Sequence, residues 1–119
     1  MNYPASIHIK GYEYKVEFVR TTQEVDWELK ATDCLAQVNS RADDRSFRIL
    51  ASQSPFGVLD CLIHEILHAI IFRNRALKSL LNENAEETFV DTIACELANL
   101  LISNNFELPS IPEITERIK

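Results

Sequence analysis

A chain of 119 residues, 46% apolar and 25% charged, is long enough to bury a core and fits one soluble globular domain. Its net charge of -6 and pI near 5.0 argue against a nucleic-acid or anionic-membrane surface, since both need clustered Lys and Arg. Three cysteines, Cys34, Cys61 and Cys95, with no C-x-x-C pair argue against a disulfide framework; they read as small buried hydrophobes in a reducing cytoplasm.

No basic start leads into an apolar leader, and the longest uninterrupted apolar runs, such as Leu100-Leu101-Ile102, are too short to span a bilayer. Ser6 to Val19 then alternates: Ile7 and Ile9, followed by Tyr12, Tyr14, Val16 and Phe18 on one parity with Glu13, Lys15 and Glu17 between them. This predicts a hairpin that turns at Lys10-Gly11 and lays one face on a core. His8 falls opposite Ile7 and Ile9, so it reads as a solvent-facing strand residue and only a minor site candidate. From Arg20 to Asp33 the period is lost. Thr21-Thr22-Gln23-Glu24 resembles a capping box and predicts a short helical turn around Glu24 to Leu29, with Trp27 pinning it to the core. Cys34 to Val38 and Phe47 to Ala51 read as a second hairpin around the polar turn Asn39 to Arg45. Asp43-Asp44 lacks the regularly spaced oxygens of a calcium loop.

Ser54 and Pro55 supply an N-cap and a first helical residue for a helix running to about Asn74. Arg73, Arg75 and Lys78 gather near its end, where they complement the helix dipole. Inside it lies His64-Glu65-Ile66-Leu67-His68, the pattern H-E-x-x-H. One turn apart and about 40° apart around the axis, the two imidazoles can reach one ion. Glu65 projects about 60° to one side of His68, placed as a base rather than a ligand. The bland alternative is an apolar stripe of Leu59, Leu62, Ile63, Ile66, Leu67, Ile70 and Ile71 with both histidines on its solvated side. The motif needs a third ligand.

A second long helix is predicted from Asn82 to about Ser103, capped by Asn82 or Asn84, with Val90, Ile93, Ala94, Leu97, Ala98, Leu100 and Leu101 as its apolar arc. Glu87, Asp91, Ala94 and Ala98 share a line, which puts Glu87 on the buried side and Asp91 at its edge. Acidic residues suit a first helical turn, which accounts for Glu83 and can extend to Glu86, but accounts less well for Asp91. A divalent ion between the helices accounts for both carboxylates. Glu87 then supplies the third ligand, and Asp91 accepts the other ring N–H of a ligating histidine. Glu86, also on the arc, is the fallback ligand. The tail Phe106 to Lys119, with Pro109, Pro112 and a short helix at Ile114 to Ile118, packs on the core or lies across the cleft.

His64-Glu65-Ile66-Leu67-His68 followed by Glu87-x-x-x-Asp91 resembles the gluzincin pattern of thermolysin-like metallopeptidases, H-E-x-x-H then E-x-x-x-D. The compact segment from Glu87 to Leu97 is similar to that of ImmA/IrrE-like peptidases and minimal gluzincins, with Asp91 where that family has Asn and Val90 in place of a small residue. The resemblance covers about Val58 to Leu101. It implies an α+β, zincin-like fold: a small antiparallel sheet of three to four strands packed on the H-E-x-x-H helix and a glutamate-bearing helix. It also implies His64, His68 and Glu87 as zinc ligands and Glu65 as catalytic base.

The expectation is therefore a single domain over residues 1–119, mainly β to residue 51, helical with the metal site over 55–104, and a tail from 105. Its expected activity is zinc-dependent cleavage of peptide bonds, endopeptidase in type, by a zinc-bound water that Glu65 activates. The same ligands serve a zinc hydrolase of a non-peptide amide, or a non-catalytic domain in which metal staples an interaction surface. Manganese or nickel also suit the donors. The expected partner is a peptide or protein substrate, with no nucleic acid and no membrane. Larger gluzincins stabilise the oxyanion with a Tyr or His from a further domain; here Tyr3, Tyr12, Tyr14 and His8 are the internal substitutes. Phe47 to Ala51 is expected as the strand nearest the helix, holding substrate by edge pairing.

Overall fold

Lys10 and Gly11 both take positive φ, 52° and 83°, and form the two-residue turn that matches the twist of a hairpin. They join β1 (Ser6–Ile9) to β2 (Tyr12–Val19), with Ile9 opposite Tyr12 and Ser6 opposite Lys15. The computed structural model describes residues 3–25, 35–40 and 43–105. A short α1 (Thr22–Val25) follows, its box closed by Thr21 and Glu24: Thr21 Oγ1 donates to Glu24 Oε1 at 2.9 Å and accepts from Glu24 N at 3.3 Å. The rest of the turn expected to Leu29, Trp27, Cys34 and the tail from Phe106 lie outside the described residues.

β3 (Ala36–Asn39) and β4 (Ser46–Leu50) form the second hairpin, antiparallel, with Val38 opposite Phe47. The sheet order is β1-β2-β4-β3, and β2 runs parallel to β4, from Lys15 beside Ser46 to Val19 beside Leu50. The antiparallel sheet expected from the sequence is therefore mixed. Alternation reports which face a side chain takes, not the direction of the neighbouring strand, and the chain from Val19 to Ser46 is long enough for a crossover. β4 is also central, paired on both sides, with Ser46, Phe47, Ile49 and Leu50 all buried. It has no free edge, so the edge pairing expected at Phe47 to Ala51 does not fit that strand; β3 is the outer strand on this side.

One face of the sheet carries the core. Tyr14 and Phe47 are fully buried and stacked at 5.0 Å, and with Ile9 and Ile49 they meet Val58, Leu62 and Ala69 of α2 (Pro55–Arg73). Each such side chain stabilises by roughly 1.5–3 kcal/mol relative to exposure. Ser54 caps α2 by accepting Gly57 N–H at 3.1 Å, with Pro55 in its first turn. Among the described helices α2 alone is long and apolar enough to cross a membrane by length and composition, a point the uninterrupted runs did not bring out. In this fold it packs against β3, β4 and α4.

After Asn74 the chain makes α3 (Arg75–Leu80), which the sequence reading did not anticipate, and then α4 (Glu83–Ser103), capped by Asn82 accepting Ala85 N–H at 2.8 Å. The buried line of α4 is Glu86, Val90, Ala94 and Ala98, four residues apart each time, and the two alanines let α4 lie close on α2. Ala94 and Ala98 lie on it as expected, but its first two turns carry Glu86 and Val90 where Glu87 and Asp91 were expected. Glu87 and Asp91 form the adjacent, exposed row, and Leu97 and Leu100 of the expected arc are exposed as well.

Candidate metal centre

The packing of α2 on α4 decides which donors meet. His64 and His68, about four-fifths buried, present their Nε2 atoms to each other at 3.1 Å. Glu87 leans in from α4 with Oε1 3.1 Å from His64 Nε2 and Oε2 3.2 Å from His68 Nε2. The third ligand read from the sequence thus joins the two histidines, although from a half-exposed position rather than the buried one expected. Ligand atoms from all three lie within 4.8 Å of one another.

Each imidazole is held from behind by a carboxylate. Asp91 Oδ1 lies 3.1 Å from His64 Nδ1, the neighbour expected for it, though Asp91 is exposed. Glu86 Oε2 lies 2.6 Å from His68 Nδ1, and its other oxygen takes Lys78 Nζ at 3.0 Å. Glu86 is therefore an orienting partner, not the fallback ligand. Burial works to raise its carboxyl, but the hydrogen bonds of His68 and Lys78 prevail and hold it below the usual 4.5. Lys78 serves this pair rather than the end of α2 alone.

These contacts test whether the residues fit a metal. With both Nδ1 protons given to carboxylates, both Nε2 lone pairs point at one spot, together with the Glu87 carboxylate. Three acceptors that close repel one another unless a cation lies among them. Spacings of 3.1–3.2 Å are close to the ~3.3 Å edge of a tetrahedron with zinc-ligand bonds of about 2.0–2.1 Å. The donor set fits zinc.

Glu65 is buried and takes a hydrogen bond from the Val38 backbone of β3, an outer strand of the described sheet. Burial raises its carboxyl above the usual 4.5, partly offset by His64 and His68, while Glu87 adds to the rise. A cavity of about 240 Å³ opens beside this group, lined by Val38, Asn39, Ser40, His68, Phe72, Lys78 and Glu86.

The four oxyanion substitutes are not brought to the cluster. His8 faces Glu13 at 3.8 Å on β1, the far edge of the sheet, and Tyr3 packs on Phe18 at 5.5 Å. Tyr14 O–H accepts Arg73 Nε at 3.0 Å, and Tyr12 lies under the Arg73 guanidinium at 3.7 Å. Arg73 is a clamp between α2 and the sheet, and Lys10 of the hairpin turn donates to its carbonyl at 3.2 Å. Comparison of the chain with protein-family models, with curated proteins and with solved structures finds no match in any of the three.

Proposed function

We propose that this protein is a zinc-dependent hydrolase of the gluzincin type, zincin-like in fold, that cleaves peptide bonds. The observation that carries the reading is the convergence of two Nε2 lone pairs and one carboxylate, each ring fixed from behind, beside a buried glutamate. His64, His68 and Glu87 hold the ion. When bound, zinc supplies Lewis acidity, which lowers the pKa of water to about 7 and polarises a carbonyl.

The chain's own groups do the rest. Asp91 and Glu86 keep the proton on each Nδ1 and so keep each Nε2 free to ligate. Glu65, its carboxyl raised by burial, accepts a proton from the attacking water and returns it to the leaving amine nitrogen. β3, an outer strand of the described sheet whose Val38 contacts Glu65, lies beside these groups. Peptide over other amides is favoured by the resemblance of His64-Glu65-Ile66-Leu67-His68 and Glu87-x-x-x-Asp91 to the pattern of metallopeptidases. The test is digestion of a peptide library by the zinc-loaded protein and by Glu65→Gln. Cleavage by the first alone supports the reading, and cleavage by neither overturns it.

A further inference from the structure

We propose that the cationic cleft beside the metal centre binds an acidic side chain of the peptide substrate. The identity of the ligand as a peptide rests on the hydrolase reading; the site itself has its own geometry. Lys10, Arg73, Arg75 and Lys78 line a cavity of about 640 Å³ whose apolar walls are Tyr12 and Phe72. Arg45 joins Arg73 and Tyr12 around an adjoining cavity of about 510 Å³.

This gathering runs against the charge of the chain, which carries 18 acidic residues and a net charge of -6. Elsewhere cations find carboxylates: Lys15 meets Asp44 at 3.4 Å and Arg48 meets Glu17 at 3.3 Å. Among the described residues no carboxylate pairs with Lys10, Arg45, Arg73 or Arg75. Two guanidiniums share one ring, Arg73 at 3.7 Å from the Tyr12 centroid and Arg45 at 5.1 Å. Arg45 Nε is buried with no hydrogen-bond partner. Like charges held this way, with a donor left unmade, are relieved by a planar anion that takes parallel N–H bonds, as a carboxylate does.

The cleft is continuous with the centre. Phe72 and Lys78 line both the 640 Å³ cavity and the one that touches His68. Ser40, just past the end of β3, lines the smaller cavity and gives its carbonyl to Arg73 Nη2 at 2.6 Å. Ser40, Phe72 and Arg73 also line the 510 Å³ cavity that holds Arg45, so the three cavities form one path from His68 to the two guanidiniums. An aspartate or glutamate of a substrate lying along that path then meets Arg73 and Arg45.

Binding is measured by fluorescence anisotropy on the zinc-loaded, full-length Glu65→Gln protein, so that hydrolysis plays no part. The two probes are fluorescein-labelled decapeptides that differ only in a central Glu-Glu or Gln-Gln pair. The Glu probe is expected to bind about tenfold tighter at roughly 50 mM NaCl and to lose most of that margin near 0.5 M. Lys10→Glu with Arg75→Glu, both exposed and leaving the Arg73 guanidinium's bonds to Tyr14 and Ser40 in place, is expected to abolish the margin, so an Arg73 variant that fails to fold leaves the test intact. Equal binding of the two probes overturns the proposal, as does a Glu margin that survives the double variant. Displacement of both probes alike by inorganic phosphate assigns the cleft to free phosphate and overturns it too. A wild-type protein that binds the Glu probe preferentially yet cuts nothing removes the peptidase and keeps the acidic-peptide site; cleavage without a Glu margin does the reverse.

Discussion

Glu86 Oε2 sits 2.6 Å from His68 Nδ1 while Glu86 Oε1 takes Lys78 Nζ at 3.0 Å, so a cation outside the centre steadies a ring inside it. Asp91 does the same for His64 from an exposed position, with no lysine paired to it among the described residues. Glu86→Gln and Asp91→Asn should each weaken zinc binding by about 10–100-fold, read by competition with a chromophoric chelator. Only Glu86→Gln should also lower the stability of the metal-free protein, by about 1–2 kcal/mol in urea titrations, because it leaves a buried amide against Lys78.

The metal-free protein should show two opposed pH effects. Glu86, held below the usual 4.5, contributes stability that is complete above that value and is lost as the pH falls through its folded pKa. Lys78→Met should shrink this acid-side loss. Glu65, raised above 4.5, is protonated longer in the folded state, so its contribution falls as the pH rises from 4.5 through its folded pKa. Glu65→Gln should flatten that second slope and raise the thermal midpoint at neutral pH relative to wild type, with scanning calorimetry as the check.

Zinc content and turnover should separate at Glu65. The Glu65→Gln protein is expected to hold zinc as wild type does, by elemental analysis after gel filtration, and to lose about 10²–10⁴-fold in peptide hydrolysis.

Arg73 ties α2 to the sheet through Tyr14 O–H, an acceptor buried in the core. Tyr14→Phe keeps the stack on Phe47 but leaves Arg73 Nε without its partner, and should cost about 1.5–3 kcal/mol in urea unfolding. A loss below a few tenths of that would mean the clamp is made elsewhere.

What the sequence made legible was whatever depends on local spacing. Lys10-Gly11, Ser54-Pro55 and Asn82 each mark an element boundary through backbone chemistry that acts within a few residues, and the structure has all three. That His64, His68, Glu87 and Asp91 come together was legible because helical periodicity aligns residues four apart. The parallel pairing of β2 with β4 was not, since nothing in a strand's own alternation names its neighbour. Nor was the rotation of α4: the arc of Val90, Ala94 and Ala98 extends equally to Glu86 or Glu87, and only the contact with α2 buries the first and exposes the second. α3 escaped notice because six residues carry too little period. Arg45 and Arg73 share the Tyr12 ring through tertiary packing alone, which no linear pattern records.

X-ray absorption at the zinc edge of the reconstituted full chain tests the centre most directly. Expected is one zinc per chain with two imidazole nitrogens at about 2.0–2.1 Å and a carboxylate oxygen at about 2.0–2.2 Å, the nitrogen signal halved in His64→Ala and the site lost in His64→Ala with His68→Ala. Folded protein that takes up no stoichiometric zinc, or zinc bound through the sulfur of Cys61 or Cys95, would contradict it.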